Sequence, residues 1–160
     1  MIAGYSLTLT VAAAVGAGVS GGVFFAFSTF VMKGLGRLPD AEGISAMKAI
    51  NKAAPNPLFM FALFGTAAIS IALSVVALRH LDERWALCLL IGSALYLVSV
   101  MLTMAYHVLH NDALALIDPR APNAAHAWAQ YHSPWTAWNH VRTVTALAGA
   151  SSFILALRAG

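Results

Sequence analysis

Long apolar runs constrain this sequence more than any other feature. Residues Ile2 to Met32 contain no Lys, Arg, Asp, Glu or His, and three more apolar runs follow at 57–78, 85–106 and 144–157. A helix needs roughly 20 mainly apolar residues to cross the hydrocarbon core of a bilayer. The first three runs meet this length, and the fourth meets it when it is extended back to residue 139. The chain is therefore predicted to cross a membrane four times.

The four spans predict one domain, an all-α integral membrane protein built as an antiparallel four-helix bundle. The predicted spans are about 2–32, 57–78, 85–110 and 139–158. The first connection is predicted to contain a short amphipathic helix, because Ile44, Met47 and Ile50 recur at helical spacing. The prolines of "PNP" at 55–57 are expected to end that helix before the second span.

The basic residues are distributed unequally between the two ends of the predicted bundle. Six of the nine Lys and Arg lie in the first and third connections or at their edge, and three lie on the other side. The positive-inside rule then predicts that these connections face the cytoplasm of a bacterial inner membrane, with both termini outside. The basic residues form no patch, so nucleic acid is not an expected partner despite the net charge of +3.

Polar side chains concentrate where the third predicted span ends and the fourth begins. Tyr96, Ser99, Thr103 and His107 follow helical steps of three and four, so they are expected to face the bundle interior. In an antiparallel bundle this end meets the start of the second span on one side of the membrane. The polar residues predicted to converge there are Asn51, His107, His110, Asn111, His132, Asn139, His140 and Arg142.

Three interpretations of this cluster are open from the residues alone. In the first, a neutral imidazole accepts a proton from a flat apolar substrate, and Asn and Arg stabilise the resulting oxyanion. In the second, His107, His110 and His140 ligate a metal ion or haem, although their spacing matches no specific metal motif. In the third, the bundle is not an enzyme but a carrier or an assembly subunit.

Two stretches resemble the anthrone oxygenase family: "GGVFFAFSTFVMKGLGRLPDAEGISAMKAIN" at 21–51 and "WTAWNHVRT" at 135–143. The resemblance implies a small four-helix membrane protein that oxidises anthrones to anthraquinones, with dioxygen as co-substrate and no metal or flavin cofactor. The family's pattern falls on Asn51, Asn111, Trp138, Asn139, His140 and Arg142. This chain departs from the pattern in "HVLHN" at 107–111, whose histidines suggest a different substrate or a metal.

The resulting hypothesis is a membrane monooxygenase without a cofactor, in which His140 or His107 is the base. The residues predicted to be catalytic are His140, His107, Arg142 and Asn111. Those predicted to bind the substrate are Asn51, Trp138, Asn139, His110 and His132. The expected partners are membrane lipid and a small hydrophobic aromatic substrate, and self-association into a homo-oligomer is left open. A metal- or haem-binding protein is the alternative.

Overall fold

The structure is a computed structural model that describes residues 4–160, apart from the side chain of Tyr5. Within this range the chain is helical, with no strand. Its helices are α1 (residues 4–35), α2 (Asp40–Ala53), α3 (Pro57–Ala77), α4 (Arg84–Ala115) and α5 (Ala124–Ala159). All except α2 are long and apolar enough to cross a membrane. The predicted all-α membrane bundle is therefore confirmed, and α2 is the helix predicted in the first connection.

The four long helices are arranged as a ring in which each packs on two others. Helix α5 packs along both α1 and α4, while α3 packs on the other side of the same two helices. Consecutive spans run in opposite directions, as expected for a bundle whose connections are short. One end of this ring is covered by α2.

The bounds of α4 and α5 differ from the predicted spans. Helix α4 continues to Ala115 instead of ending near residue 110, and α5 begins at Ala124, well before residue 139. The early part of α5 is too polar to be found by a hydropathy criterion, but its Trp128 and Tyr131 are buried against α2. Tertiary packing therefore keeps this segment helical, even around the internal Pro134. The predicted start of the first span at residue 2 lies outside the described residues.

The buried apolar side chains form two separate cores. One lies inside the ring of long helices and includes Phe24, Leu63, Tyr96 and Phe153. The other lies under α2 and consists of Met32, Leu35, Ile44, Met47, Leu114, Ala124, Trp128, Tyr131 and Trp135. Under α2, where the alternative is exposure to water, burial of each large apolar side chain contributes about 1.5–3 kcal/mol. Between the membrane spans, close packing takes the place of this term. The apolar face predicted for α2 is thus the face that packs against the end of the bundle.

Helices α4 and α5 approach each other closely at Gly92 and Gly149. A Cβ atom at residue 149 would lie 3.0 Å from the carbonyl oxygen of Gly92 and 3.3 Å from the backbone nitrogen of Tyr96. Because both neighbours are backbone atoms, the two helices would have to separate. We expect Gly149→Ala to lower the free energy of unfolding by about 1–3 kcal/mol, measured by reversible denaturation in detergent micelles.

The matched control for this prediction is Gly22→Ala in α1. A Cβ atom at residue 22 would meet nothing within 4 Å. Alanine also has the higher helix propensity, so this variant is expected to be at least as stable as the parent protein. Equal unfolding free energies for the two alanine variants would contradict the close packing of α4 on α5.

Candidate active site

A cavity of about 740 Å³ lies at the junction of the two cores. Its wall takes Phe24 and Leu63 from the first core and Trp135 from the second. The volume falls within the roughly 300–1,000 Å³ that is typical of small-molecule sites. Most of the wall is apolar, and its polar side chains are Lys48, Asn51, Lys52, Thr103, His107, Asn111, Asp112 and Arg142.

Three long helices change to a wider π-helical turn beside this cavity. These turns are Phe27–Val31 in α1, Phe61–Gly65 in α3 and Thr103–Val108 in α4. Each turn contributes to the cavity wall, through Phe27, Leu63 and His107 among others. A π turn shifts the register of the side chains that follow it and is frequent at functional sites. The departures from regular helix in this bundle are therefore gathered around the cavity.

His107 lines this wall, and its buried Nε2 atom is a hydrogen-bond acceptor, without a partner among residues 4–160, that ring rotation would expose to the cavity. The residue is 1% exposed, and its Nδ1 lies 3.0 Å from the carbonyl oxygen of Leu102. Since a carbonyl can only accept, Nδ1 donates, and in the neutral ring the free lone pair is then on Nε2. Nε2 is buried and has no hydrogen-bond partner in the described part of the chain. The ring is also held edge-on to Trp135, with 4.9 Å between the centroids.

Arg142 places a positive charge in the cavity wall without a negatively charged partner among its contacts. Its Nε donates to Asn139 Oδ1 at 3.0 Å, Nη2 donates to the same oxygen, and Nη1 makes a long 3.4 Å contact with Thr103 Oγ1. The guanidinium carbon lies 4.0 Å from the ring centroid of Phe24 and 5.4 Å from that of Trp135. All these partners are neutral, so an anion formed in the cavity would be stabilised by this buried charge.

Asn139 holds Arg142 in place and ties α5 to α1. Its Nδ2 donates to the carbonyl oxygen of Phe24 at 2.8 Å and to Ser28 Oγ at 2.7 Å. Ser28 Oγ in turn lies 3.0 Å from Thr143 Oγ1. Asn139 is fully buried and does not line the cavity. It is therefore a positioning residue, which fixes the direction of the guanidinium.

Two asparagines add amide groups to the cavity wall. Asn111 Oδ1 accepts from the Tyr131 hydroxyl at 2.8 Å and from Trp135 Nε1 at 2.9 Å, which leaves the Nδ2 hydrogens of Asn111 for a ligand. Asn51, on α2, has a buried Nδ2 without a partner among the described residues. The residues of the wall thus carry two side-chain amides, one guanidinium and one imidazole, although Asn51 Nδ2 and His107 Nε2 are themselves covered.

The structure brings only part of the predicted site together. Four of the predicted residues line the cavity: Asn51, His107, Asn111 and Arg142. His140, one of the two predicted bases, is exposed and lies outside it. Successive residues of a helix are rotated by about 100°, so Asn139 and Arg142 share the inner face while His140 points away from it. Of the two predicted bases, the geometry leaves His107.

Three other predicted binding residues also lie outside the cavity. His110 Nδ1 lies 2.8 Å from the carbonyl oxygen of Tyr106, and its ring stacks on that tyrosine at 3.9 Å. His132 Nε2 lies 2.8 Å from the carbonyl oxygen of Met32, which ties α5 to the end of α1. Trp138 is 44% exposed. These contacts give the three side chains structural roles at the surface and at the helix ends.

Trp135 is a site residue that was not predicted from the sequence. It lines the cavity, donates to Asn111 and contacts the rings or charges of both His107 and Arg142. One sequence signal would have revealed it. The buried residues Trp128, Tyr131, Trp135, Asn139 and Arg142 follow one another in steps of three and four, which marks a single helix face. Trp138 and His140, the sequence neighbours of Asn139, lie off this face and are exposed.

The metal alternative depended on three histidines that the fold does not gather. Across residues 4–160 no group of three or more His, Cys, Asp or Glu side chains has the geometry to hold a metal ion. His107 is buried at the cavity, whereas His140 is exposed on another face of α5. The fold therefore does not gather His107, His110 and His140 into one ligand set among the described residues.

The fold and the cavity define a class: a membrane four-helix bundle with a buried arginine and a buried histidine beside a mostly apolar cavity. The chain belongs to the anthrone oxygenase family, whose sequence profile matches residues 58–152, more than half of its length. This match includes the "WTAWNHVRT" stretch, whereas the resemblance at 21–51 lies outside the matched residues. No curated protein and no solved structure gave a significant match.

Proposed function

We propose that this protein is a membrane-embedded monooxygenase that oxidises an apolar, anthrone-like substrate with dioxygen and needs no metal or organic cofactor. The observation that carries the proposal is the pairing of two groups in one cavity wall. Among the described residues, the buried Nε2 of His107 has no hydrogen-bond partner and the buried guanidinium of Arg142 has no carboxylate partner. A site that makes and holds an organic anion needs these two groups. Membership of the family supplies the substrate class.

The first step is removal of a proton. An anthrone carries acidic C–H bonds on the ring carbon opposite its ketone. His107 Nε2 takes one of these protons, and the electron pair of the broken bond spreads through the rings to the ketone oxygen. Arg142 and the amides of Asn111 and Asn51 stabilise the resulting enolate, which is richer in electrons than the neutral ketone.

The second step is reaction of this anion with dioxygen. The enolate gives one electron to dioxygen, and the two radicals combine to form a carbon–oxygen bond at the deprotonated carbon. The proton held by His107 completes a hydroperoxide. Loss of the remaining C–H proton then drives cleavage of the O–O bond and releases hydroxide, which takes up that proton. The substrate has lost two hydrogens and gained one oxygen, and the second oxygen atom leaves as water.

An isotope experiment tests this proposal. Detergent-purified protein, treated with a chelator and checked by elemental analysis, is mixed with an anthrone under ¹⁸O₂. We expect quinone formation well above the spontaneous rate, with one ¹⁸O atom in each quinone. A rate equal to that of the protein-free solution would contradict the proposed activity. An activity that disappears with the metal and returns on its addition would contradict the absence of a cofactor.

A further inference from the structure

A second apolar cavity lies on the membrane-facing side of the bundle, along the seam between α1 and α3. It measures about 1,340 Å³ and extends from Leu7 to Phe27 on α1 and from Leu58 to Ile69 on α3. We call it the seam groove. Its side chains are almost entirely apolar, and several of them are exposed where the bilayer would lie: Val15 is 62% exposed and Phe61 is 77% exposed.

The seam groove and the candidate active site share a wall. Five residues line both: Val23, Phe27, Ile50, Ala54 and Phe59. Phe59 is half-buried and contacts Phe24 edge-to-face, with 6.4 Å between the ring centroids. Phe24 in turn lies directly under the Arg142 guanidinium. The side chains of these shared residues therefore separate the membrane-facing groove from the active-site cavity, and Phe24 lies between Phe59 and Arg142.

The side of the active-site cavity away from the groove carries charged side chains. There its wall includes Lys48, Lys52 and Asp112, and the last two are exposed. An uncharged polycyclic ketone partitions into the bilayer, because its apolar surface is then removed from water. Such a substrate would have to leave the membrane to pass these charged side chains. Through the seam groove it would reach the cavity without contact with water.

We propose that the substrate reaches the active site sideways from the bilayer, through the seam groove and past Phe59. This inference rests on the proposed function, and it names the substrate as a membrane-dissolved, uncharged polycyclic compound. The groove adjoins the cavity across these shared side chains and is almost entirely apolar, which is what such a substrate requires. Side-chain rotation of Phe59 opens the route, because its ring packs on one neighbouring ring and faces both cavities.

The test uses bulky thiol adducts at single cysteines. Cys88 is the only cysteine, so Cys88→Ala gives a background in which Ala62→Cys, in the groove, is the single thiol. Two matched positions lie outside both cavities: Ser45→Cys, exposed on α2, and Ala94→Cys, exposed on α4. In vesicles, binding of an anthraquinone is followed by quenching of tryptophan fluorescence, which requires no turnover.

We expect the adduct at residue 62 to slow association of the quinone by about ten-fold or more, and the adducts at residues 45 and 94 to leave it nearly unchanged. An adduct at residue 45 that slows association as much as the one at residue 62 would overturn the route. So would an adduct at residue 62 without effect, or disulfide-linked dimers of Ala62→Cys, which would show a second copy covering the groove.

The binding readout separates this inference from the proposed reaction. If the groove adduct slows quinone binding but anthrone is not oxidised, the route stands and the proposed activity fails. If anthrone is oxidised with the parent protein's kcat/KM while residue 62 carries its adduct, the activity stands and the route fails.

Discussion

Replacement of His107 by Gln is expected to lower kcat for anthrone oxidation by about 10²–10⁴-fold, the usual contribution of a positioned general base. Glutamine keeps a donor that can reach the Leu102 carbonyl oxygen, so the polar contact that orients the side chain survives. The glutamine side chain has no basic nitrogen that could replace Nε2 of His107. Single-turnover measurements of enolate or quinone formation, together with a thermal denaturation curve, separate loss of the base from loss of fold.

The same substitution at His140 distinguishes the two histidines that the sequence proposed as bases. His140 is exposed and lies outside the cavity, so His140→Gln is expected to retain the activity of the parent protein. If His140→Gln is inactive and His107→Gln is active, the site is not the cavity described above. The two variants together test which histidine lines the cavity and whether its imidazole acts as the base.

Substitution of Arg142 by Met is expected to lower kcat by about 10²–10³-fold, comparable to the loss of one oxyanion-stabilising group. Methionine has a similar length and fills the space between the Phe24 and Trp135 rings, but it carries no charge. Two opposing effects limit the change in the free energy of unfolding. Asn139 Oδ1 loses both of its donors, at about 1–3 kcal/mol, while an uncompensated buried charge is removed.

Two further measurements test whether the positive charge of Arg142 is what raises the rate. Arg142→Lys keeps a positive charge and is expected to recover part of the lost rate, although it cannot reproduce the paired donation to Asn139. Binding of a neutral anthraquinone is expected to change far less than kcat, since the charge acts on the enolate. Arg142→Met with full activity, or a loss explained entirely by weaker quinone binding, would contradict the proposed role.

Most of the fold could be predicted from the sequence because the membrane simplifies the problem. A helix that crosses lipid must satisfy its own backbone hydrogen bonds, so each sufficiently long apolar run becomes a span. The apolar face of α2 was visible in Ile44 and Met47, which are buried as expected. The early part of α5 was not visible, because its helix is held by Trp128 and Tyr131 against α2 and not by hydropathy.

The sequence predicted which end of the bundle holds the site, but not which residues line the cavity. Topology brings the last turns of α4 and the middle of α5 to the start of α3, under α2, which is why His107, Asn111, Arg142 and Asn51 meet at one cavity. Which members of the cluster face inward depends on helix rotation, and a difference of one residue separates buried Asn139 from exposed His140. A count of helical steps back from Arg142 would have placed Trp135 inside.

By itself the sequence determined that this chain is a membrane bundle of the anthrone oxygenase type, with imidazole, amide and guanidinium groups at one end. Hydropathy and short-range spacing predict the bundle and the end at which these groups lie, because both depend on single helices and on the order of the spans. The family follows from the resemblance of two sequence stretches and from the match over residues 58–152. Only the tertiary structure decided that His107 and not His140 lines the cavity, and that Arg142 lies among neutral partners. Those outcomes depend on the π turns and on side-chain contacts between helices, where a shift of one residue changes which groups meet.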